Sequence, residues 1–110
     1  MDNKSKIIRT WKGWTTLENA DIYEKMLINE IFPAIKKKGV DGLEKVSISR
    51  QNKKDEVEFF LILQFYSLDA VKTFAGENYE IAYIPKNAQQ VLLRYDKTVE
   101  HYEFRKELIL

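Results

Sequence analysis

The stretch Glu56–Gly76, EVEFFLILQFYSLDAVKTFAG, decides the fold of this chain. From Val57 to Tyr66 it is apolar on both faces of an extended strand, and after Ser67 the apolar residues recur at helical spacing. Ser67 is a residue type that caps the start of a helix, and Gly76 is one that ends it. The stretch therefore predicts a buried strand that leads directly into a short, capped helix.

Three further strands are predicted around this unit. KIIRTWKGW, from Lys6 to Trp14, mixes the β-branched and aromatic residues that favour strands. LEKVSISRQ, residues 43–51, alternates apolar and polar side chains like an edge strand, and the polar cluster QNKKDE joins it as a hairpin to the strand that begins at Val57. A last strand is expected from Thr98 to Arg105.

Helical spacing marks the segment between the first two strands. Its apolar stripe predicts a helix that ends near Lys38, and Pro33 predicts a bend or break in it. The residues predicted to face inward are Ala20, Tyr23, Leu27, Ile31 and Ala34. Pro85, followed by KNAQQVLLRY, predicts an extra short helix before the last strand, with Arg94 near its end.

The order of elements is thus β-α-β-β-α-β with one added helix. This order is typical of the ferredoxin-like split βαβ motif, an α+β fold with an antiparallel sheet. The length of 110 residues fits a single domain over residues 1–110, with an ordered core expected at about residues 6–105. Because the strand from Val57 is apolar on both faces, two helices cannot shelter it, and we expect a second copy of the chain to cover the other face as a homodimer.

Composition excludes several classes of function. A net charge of +1 gives no reason to expect a nucleic-acid or membrane partner, since both favour an excess of basic residues. The chain has no cysteine and no apolar leader at its start, which indicates a cytoplasmic location. Acidic pairs such as Asp55–Glu56 lack accompanying histidines, so no metal site is predicted, and the absence of a glycine-rich phosphate loop argues against a nucleotide cofactor.

Three strings carry a resemblance to a known family. IIRTWKGWT (residues 7–15), the stretch from Glu56 extended to Ala82, and YDKTVEHYEF (residues 95–104) resemble the antibiotic biosynthesis monooxygenase-like family of the dimeric α/β-barrel superfamily. The likeness covers about Lys6 to Phe104. It implies a ferredoxin-like monomer whose sheet packs on that of a second subunit to form a barrel. Some relatives oxygenate polycyclic phenols without metal or flavin, some degrade haem, and others bind small molecules.

His101 and Arg9 are the candidate catalytic residues. His101 is the only histidine, and so the one side chain whose ordinary pKa lies near neutrality. In a pocket it would serve as the base that removes a phenolic or enolic proton, or as a ligand of haem iron. Arg9 would hold the resulting anion by charge-assisted hydrogen bonds. The alternatives are a structural histidine and an arginine paired with a carboxylate.

Four more residues are candidates for substrate binding. Trp11, Trp14 and Tyr66 offer flat rings for stacking on an aromatic molecule, and Arg94 offers a second cation. Trp11 stands two positions after Arg9, so both should lie on one face of the sheet. The aromatic residues are equally suited to fill the core or an interface.

Three hypotheses about function follow. The first is a cofactor-independent monooxygenase, or a related enzyme, that acts on a small aromatic or quinol-like molecule within a homodimeric barrel. The second is a non-catalytic dimer that binds a small apolar or aromatic ligand. Haem degradation is a third hypothesis.

Overall fold

The computed structural model describes residues 4–110, which form one sheet with helices on one of its faces. The strands are β1 (Ile7–Thr15), β2 (Leu43–Asn52), β3 (Val57–Phe65), β4 (Leu92–Tyr95) and β5 (Glu100–Glu103). The helices are α1 (Ala20–Met26), α2 (Phe32–Lys37), α3 (Leu68–Ala75) and α4 (Lys86–Val91). Within this part of the chain, no helix is both long enough and apolar enough to cross a membrane.

β1 is the centre of the sheet. It pairs along its whole length with β3, and β3 pairs in turn with β2 at the edge. On its other side β1 pairs with two short strands, β5 at residues 7–10 and β4 at residues 13–15. Every pairing is antiparallel, and the order β2-β3-β1-β4 confirms the predicted ferredoxin-like α+β fold. β4 and β5 together fill the place of a single edge strand.

The prediction of a helix throughout KNAQQVLLRY was wrong in its second half. The helix α4 ends at Val91, and Leu92 turns to extended backbone with φ −87° and ψ 136°. Arg94 therefore lies on β4 and not at a helix end. The physical reason is that β5 does not pair with the last residues of β1, so the backbone groups on that edge of β1 need another partner. β4 supplies the backbone partners that this edge requires.

A π-helical turn at Leu27–Ile31 separates α1 from α2. At its end the backbone N–H of Phe32 bonds to the carbonyl of Leu27, five residues earlier. The break predicted near Pro33 is thereby confirmed, since proline has no N–H to offer the preceding turn. The wider turn also shifts the inward face by one residue. Ile35 is buried and Ala34 is exposed, so the predicted inward position of Ala34 was wrong.

The two faces of the sheet have different surroundings. Alternate residues of β1 and β3 are buried beneath the helices, among them Ile7, Phe59 and Phe65, while the residues between them are only partly covered. This second face, which we call the open face, carries Ile8, Phe60 and Ile62 on its central strands. β3 is thus apolar on both sides, as predicted.

The cap of α3 provides a direct test of the predicted strand-to-helix junction. The Ser67 hydroxyl accepts a hydrogen bond from the backbone N–H of Ala70 at 3.2 Å. We expect Ser67→Ala to lower the free energy of unfolding by about 1 kcal/mol, measured by urea denaturation. Ser49→Ala, at an exposed serine of β2, is the matched control and should change it by less than about 0.5 kcal/mol. Equal effects of the two substitutions would contradict the capping role.

Candidate functional site

A cavity lies between the helix-covered face of the sheet and the helices. It offers about 70 Å³ to the centre of a water-sized sphere, several times the roughly 10–15 Å³ that holds one water molecule. Trp11, Leu61 and Leu63 form its floor on the sheet, and helix residues and the segment 82–85 close it. Its walls are mostly apolar. A ligand of several rings would require this segment to move outward.

Arg9 is the one charged side chain among the described residues that line the cavity. It projects from the central strand β1 and is only 3% exposed. Its Nη1 donates to the carbonyl of Tyr79 at 2.6 Å, and its Nη2 donates to the carbonyl of Ile81 at 3.3 Å. The guanidinium carbon also lies 5.4 Å from the centre of the Phe74 ring, within reach of a cation–π interaction.

No carboxylate among the described residues pairs with Arg9, so within residues 4–110 its charge has no counter-ion. Burial lowers the pKa of Arg9 to about 10, so the guanidinium still carries its charge at neutral pH. Buried charges in proteins are normally paired, because removal from water is costly. The cavity is therefore a site of positive potential inside an apolar wall.

His101 stands beside Arg9 on the neighbouring strand β5. The two residues are paired across the sheet, and Nη1 of Arg9 lies 3.1 Å from Nε2 of His101. The Tyr79 ring meets the imidazole edge-on at a centroid distance of 5.3 Å. Burial, followed by the charge of Arg9, lowers the pKa of His101 to about 4, so that it is neutral at pH 7. His101 itself does not line the cavity.

Trp11 forms part of the cavity floor and is fixed at both ends. Its indole Nε1 donates to the carbonyl of Asp96 at 2.7 Å, which anchors the segment after β4. The far edge of the indole lies directly over Gly13, where any Cβ would collide with it. Glycine at this position therefore lets the indole lie flat along the strand. The prediction that Arg9 and Trp11 share one face of the sheet is confirmed.

The other three predicted ligand-binding residues lie away from the cavity. Trp14 is on the open face, where its Nε1 donates to Glu58 at 3.3 Å and the guanidinium of Arg94 stacks 4.5 Å from its ring centre. Arg94 also forms a two-pronged ion pair with Glu56. Tyr66 follows the end of β3 and is 64% exposed. Their roles in ligand binding stay predictions.

Sequence reasoning missed the residues that complete the site around Arg9. Tyr79 and Ile81 contribute backbone carbonyls, which any residue type could supply, and Phe74 contributes a ring that resembles ordinary helix core. One signal was present, because the segment from Glu77 to Lys97 is long for a connection in so small a domain. Such length often marks a functional element.

The arrangement favours binding an apolar molecule that carries a negative charge. None of the described lining residues is a carboxylate or a histidine, so the cavity itself contains no obvious proton acceptor. Tyr23 lines it too, but burial raises the pKa of its phenol well above the ordinary value. Residues 4–110 contain no cluster of three or more acidic or histidine side chains suited to a metal ion.

Comparison with known proteins connects this geometry to a group of solved structures. The chain is similar to a Bacillus cereus protein provisionally assigned as an antibiotic biosynthesis monooxygenase, with 15% identity, a TM-score of 0.65 and coverage of 96% of this chain and 99% of that one. It is also similar to a Streptomyces coelicolor monooxygenase solved with the ligand nanaomycin D, with 12% identity, a TM-score of 0.61 and coverage of 99% and 96%. A dimeric ferredoxin-like protein from an uncultured marine organism shares 12% identity with a TM-score of 0.54, over 98% and 95%.

At sequence level, no protein-family model and no curated protein matches the chain. Identities of 12–15% support a common fold and do not by themselves carry an activity from one protein to another. The ferredoxin-like fold of the monomer expected from the family resemblance is confirmed, because the chain has the fold of a protein provisionally assigned as an antibiotic biosynthesis monooxygenase and of another named as a monooxygenase.

The single histidine makes the electrostatics of the site measurable. We expect the ring protons of His101 to titrate in an NMR experiment with a midpoint near 4 instead of 6.5. Since the pKa is lower in the folded chain than in the unfolded one, the unfolded state binds the proton first, and stability should fall as the pH drops from 6.5 through 4. In Arg9→Gln the midpoint should rise part of the way, because burial still disfavours the imidazolium. A midpoint near 6.5 in the folded wild type would contradict the buried Arg9–His101 contact.

Proposed function

We propose that this protein is a cofactor-independent monooxygenase, or a closely related enzyme, that acts on a small aromatic or quinol-like anion bound in the cavity beside Arg9. The observation that carries the proposal is the buried guanidinium, which faces an apolar space without a carboxylate partner among the described residues. An anionic ligand would supply the missing charge. Two of the structurally similar proteins are named as monooxygenases, which supports the same class of reaction.

Arg9 would act by stabilising the ionised form of the substrate. A positive charge at contact distance lowers the pKa of a phenol or enol by about 1 to 3, so the electron-rich anion is favoured. Because no described lining residue is an evident base, we expect substrates that are already acidic enough to ionise near neutral pH. His101 is poorly suited to act as the base, because its Nε2 lone pair points at Arg9 and its pKa is lowered to about 4.

The chemistry balances without an external reductant. An enolate of an anthrone-like substrate gives an electron pair to dioxygen, and a carbon–oxygen bond forms. The resulting peroxide anion takes up a proton in place of the one that the substrate lost on ionising. Its O–O bond then breaks as the remaining hydrogen on that carbon leaves within a water molecule, and a carbonyl remains. The CH₂ group loses four electrons in total, and one oxygen atom of O₂ is retained while the other leaves as water. The protein would contribute the cation and a water-poor apolar space.

Binding without catalysis is the second candidate function. It is favoured by one specific observation, which is that no described residue of the cavity wall offers a proton acceptor. Haem degradation is the least supported alternative. Iron would require the same His101 Nε2 lone pair that Arg9 engages at 3.1 Å, and a second positive charge would then stand beside the guanidinium.

We also propose that a second copy of the chain covers the open face. The central strands present Ile8, Phe60 and Ile62 there, and Tyr102 beside them is 55% exposed. An apolar sheet face of this kind typically packs against another layer. One of the similar structures is itself named as a dimeric ferredoxin-like protein, which supports this arrangement. The cytoplasmic location predicted from the sequence stays a prediction.

Arg9→Gln tests the anion site. We expect wild-type protein to consume oxygen with at least one member of a panel of anthrone-like and hydroquinone compounds, in the presence of a chelator. Loss of a charge-assisted hydrogen bond costs about 1.5–3 kcal/mol, so kcat/KM should fall by roughly 10- to 100-fold in the variant. Arg50→Gln, which removes an arginine outside the cavity, should stay within about twofold of wild type.

Removing the ionisable group of the ligand is a second test of the anion site. O-methylation removes the ionisable proton, so each methyl ether should bind wild-type protein at least about tenfold more weakly than its parent, as measured by calorimetry. Binding without oxygen uptake across the panel would favour the non-catalytic function. Equal affinity for ethers and acidic parents would rule out an anion site at Arg9.

Sedimentation equilibrium at micromolar concentration tests the proposed dimer. Wild type should show twice the mass of one chain, and Ile62→Glu should show a single chain, because a charge on the open face cannot be buried in an interface without a partner. Ile22→Glu, which changes a 51% exposed isoleucine on α1, should remain a dimer. A stable monomer of the wild-type protein would contradict the proposed assembly.

A further inference from the structure

The contact between Arg9 and His101 fixes which imidazole nitrogen carries the proton. Guanidinium nitrogens only donate hydrogen bonds, so Nε2 of His101, 3.1 Å from Nη1, must be the acceptor. In a neutral imidazole the proton then resides on Nδ1. His101 is therefore held as a hydrogen-bond acceptor that faces a cation.

The remaining donors of Arg9 can be counted. A guanidinium has five N–H groups. Nη1 uses both of its own, one on the carbonyl of Tyr79 and one on His101, and Nη2 uses one on the carbonyl of Ile81. Within residues 4–110, the second N–H of Nη2 and the N–H of Nε have no protein acceptor. These two donors are the ones available to a ligand in the cavity that Arg9 lines.

We propose that His101 is a positioning residue of this site, which acts as a neutral acceptor that holds the Arg9 guanidinium with its two unused N–H groups available to the anion of the ligand. The inference rests on the proposed function and gives His101 a different role from the base predicted from the sequence. Without this acceptor, one N–H of Nη1 would be buried without a partner, and the guanidinium would be free to rotate toward a different acceptor.

The surroundings of His101 keep it in the required neutral form. The charge in direct contact with it is that of Arg9 on β1. From the segment after α3 the Tyr79 ring packs edge-on, and Lys72 of α3 lies 6.0 Å from the centre of that ring. Glu103 follows on the same side of β5 and is partly buried. Burial, followed by the charge of Arg9, disfavours the imidazolium.

A pair of isosteric probes separates anion recognition from shape. Naphthalene-2-sulfonate is ionised at every accessible pH, whereas naphthalene-2-sulfonamide has the same outline without the charge. We expect wild-type protein to bind the sulfonate at least tenfold more tightly in calorimetry. His101→Phe, which keeps a flat ring but removes the acceptor, should lose most of that preference while its affinity for the sulfonamide changes by less than twofold.

His101→Gln provides the rescue. Its side-chain carbonyl can accept the Arg9 hydrogen bond, so the preference for the sulfonate should return to within about threefold of wild type. In wild type, affinity for the sulfonate should fall as the pH is lowered through the His101 midpoint measured by NMR, because an imidazolium cannot accept a bond from Arg9. That pH series needs no substitution, and so it tests the proposal even if His101→Phe does not fold.

The outcomes distinguish the two proposals. If wild type binds neither probe, or binds both equally, the anion site and the proposed function fail. If wild type prefers the sulfonate and Arg9→Gln abolishes the preference, but His101→Phe retains it, the anion site stands and the positioning role of His101 is overturned. An affinity for the sulfonate that stays constant through the titration of His101 would overturn it as well.

Discussion

The burial of one positive charge on the central strand is the constraint on which much of this structure depends. Arg9 lies on β1 beneath the helices, and it meets the backbone carbonyls of residues about seventy positions later in the chain. Those two hydrogen bonds hold the segment between α3 and α4 against the sheet. Because that segment also supplies the outer wall of the cavity, the residue that gives the site its charge also helps to close it.

The architecture supports this placement through β1, which pairs with three other strands. β3 pairs with it along one edge, while β4 and β5 divide the other edge between them. Between them residues 97–99 leave the line of the sheet, and the carbonyl of Asp96, just before them, accepts the indole N–H of Trp11. His101 lies opposite Arg9 because β5 pairs with the first half of β1. Both contacts of the site therefore follow from the split edge.

The fold is shared with proteins that differ from this chain at more than four-fifths of aligned positions. A shared fold fixes the layers of a protein but not the chemistry within them. In this chain the candidate site depends on a small number of side chains on the helix-covered face. Their charge and geometry, more than the fold, are the basis on which we propose an anionic aromatic ligand.

The sequence alone determined the layers of this protein, because hydrophobic periodicity and capping are local signals. It identified the strand-to-helix junction at Ser67, the break near Pro33, and the shared face of Arg9 and Trp11. Local signals were insufficient where a neighbouring element decided the outcome. KNAQQVLLRY has helical spacing, yet its second half became β4 because the edge of β1 needed partners.

The site itself was decided only by tertiary structure. Nothing in the order of residues indicates that Trp14 and Arg94 stack on the open face, or that Tyr66 points to solvent. The partners of Arg9 are carbonyl groups, which every residue possesses, so no pattern of side chains can identify them in advance. Periodicity specifies which face a side chain occupies, but only the folding of distant segments onto that face determines what the side chain meets there.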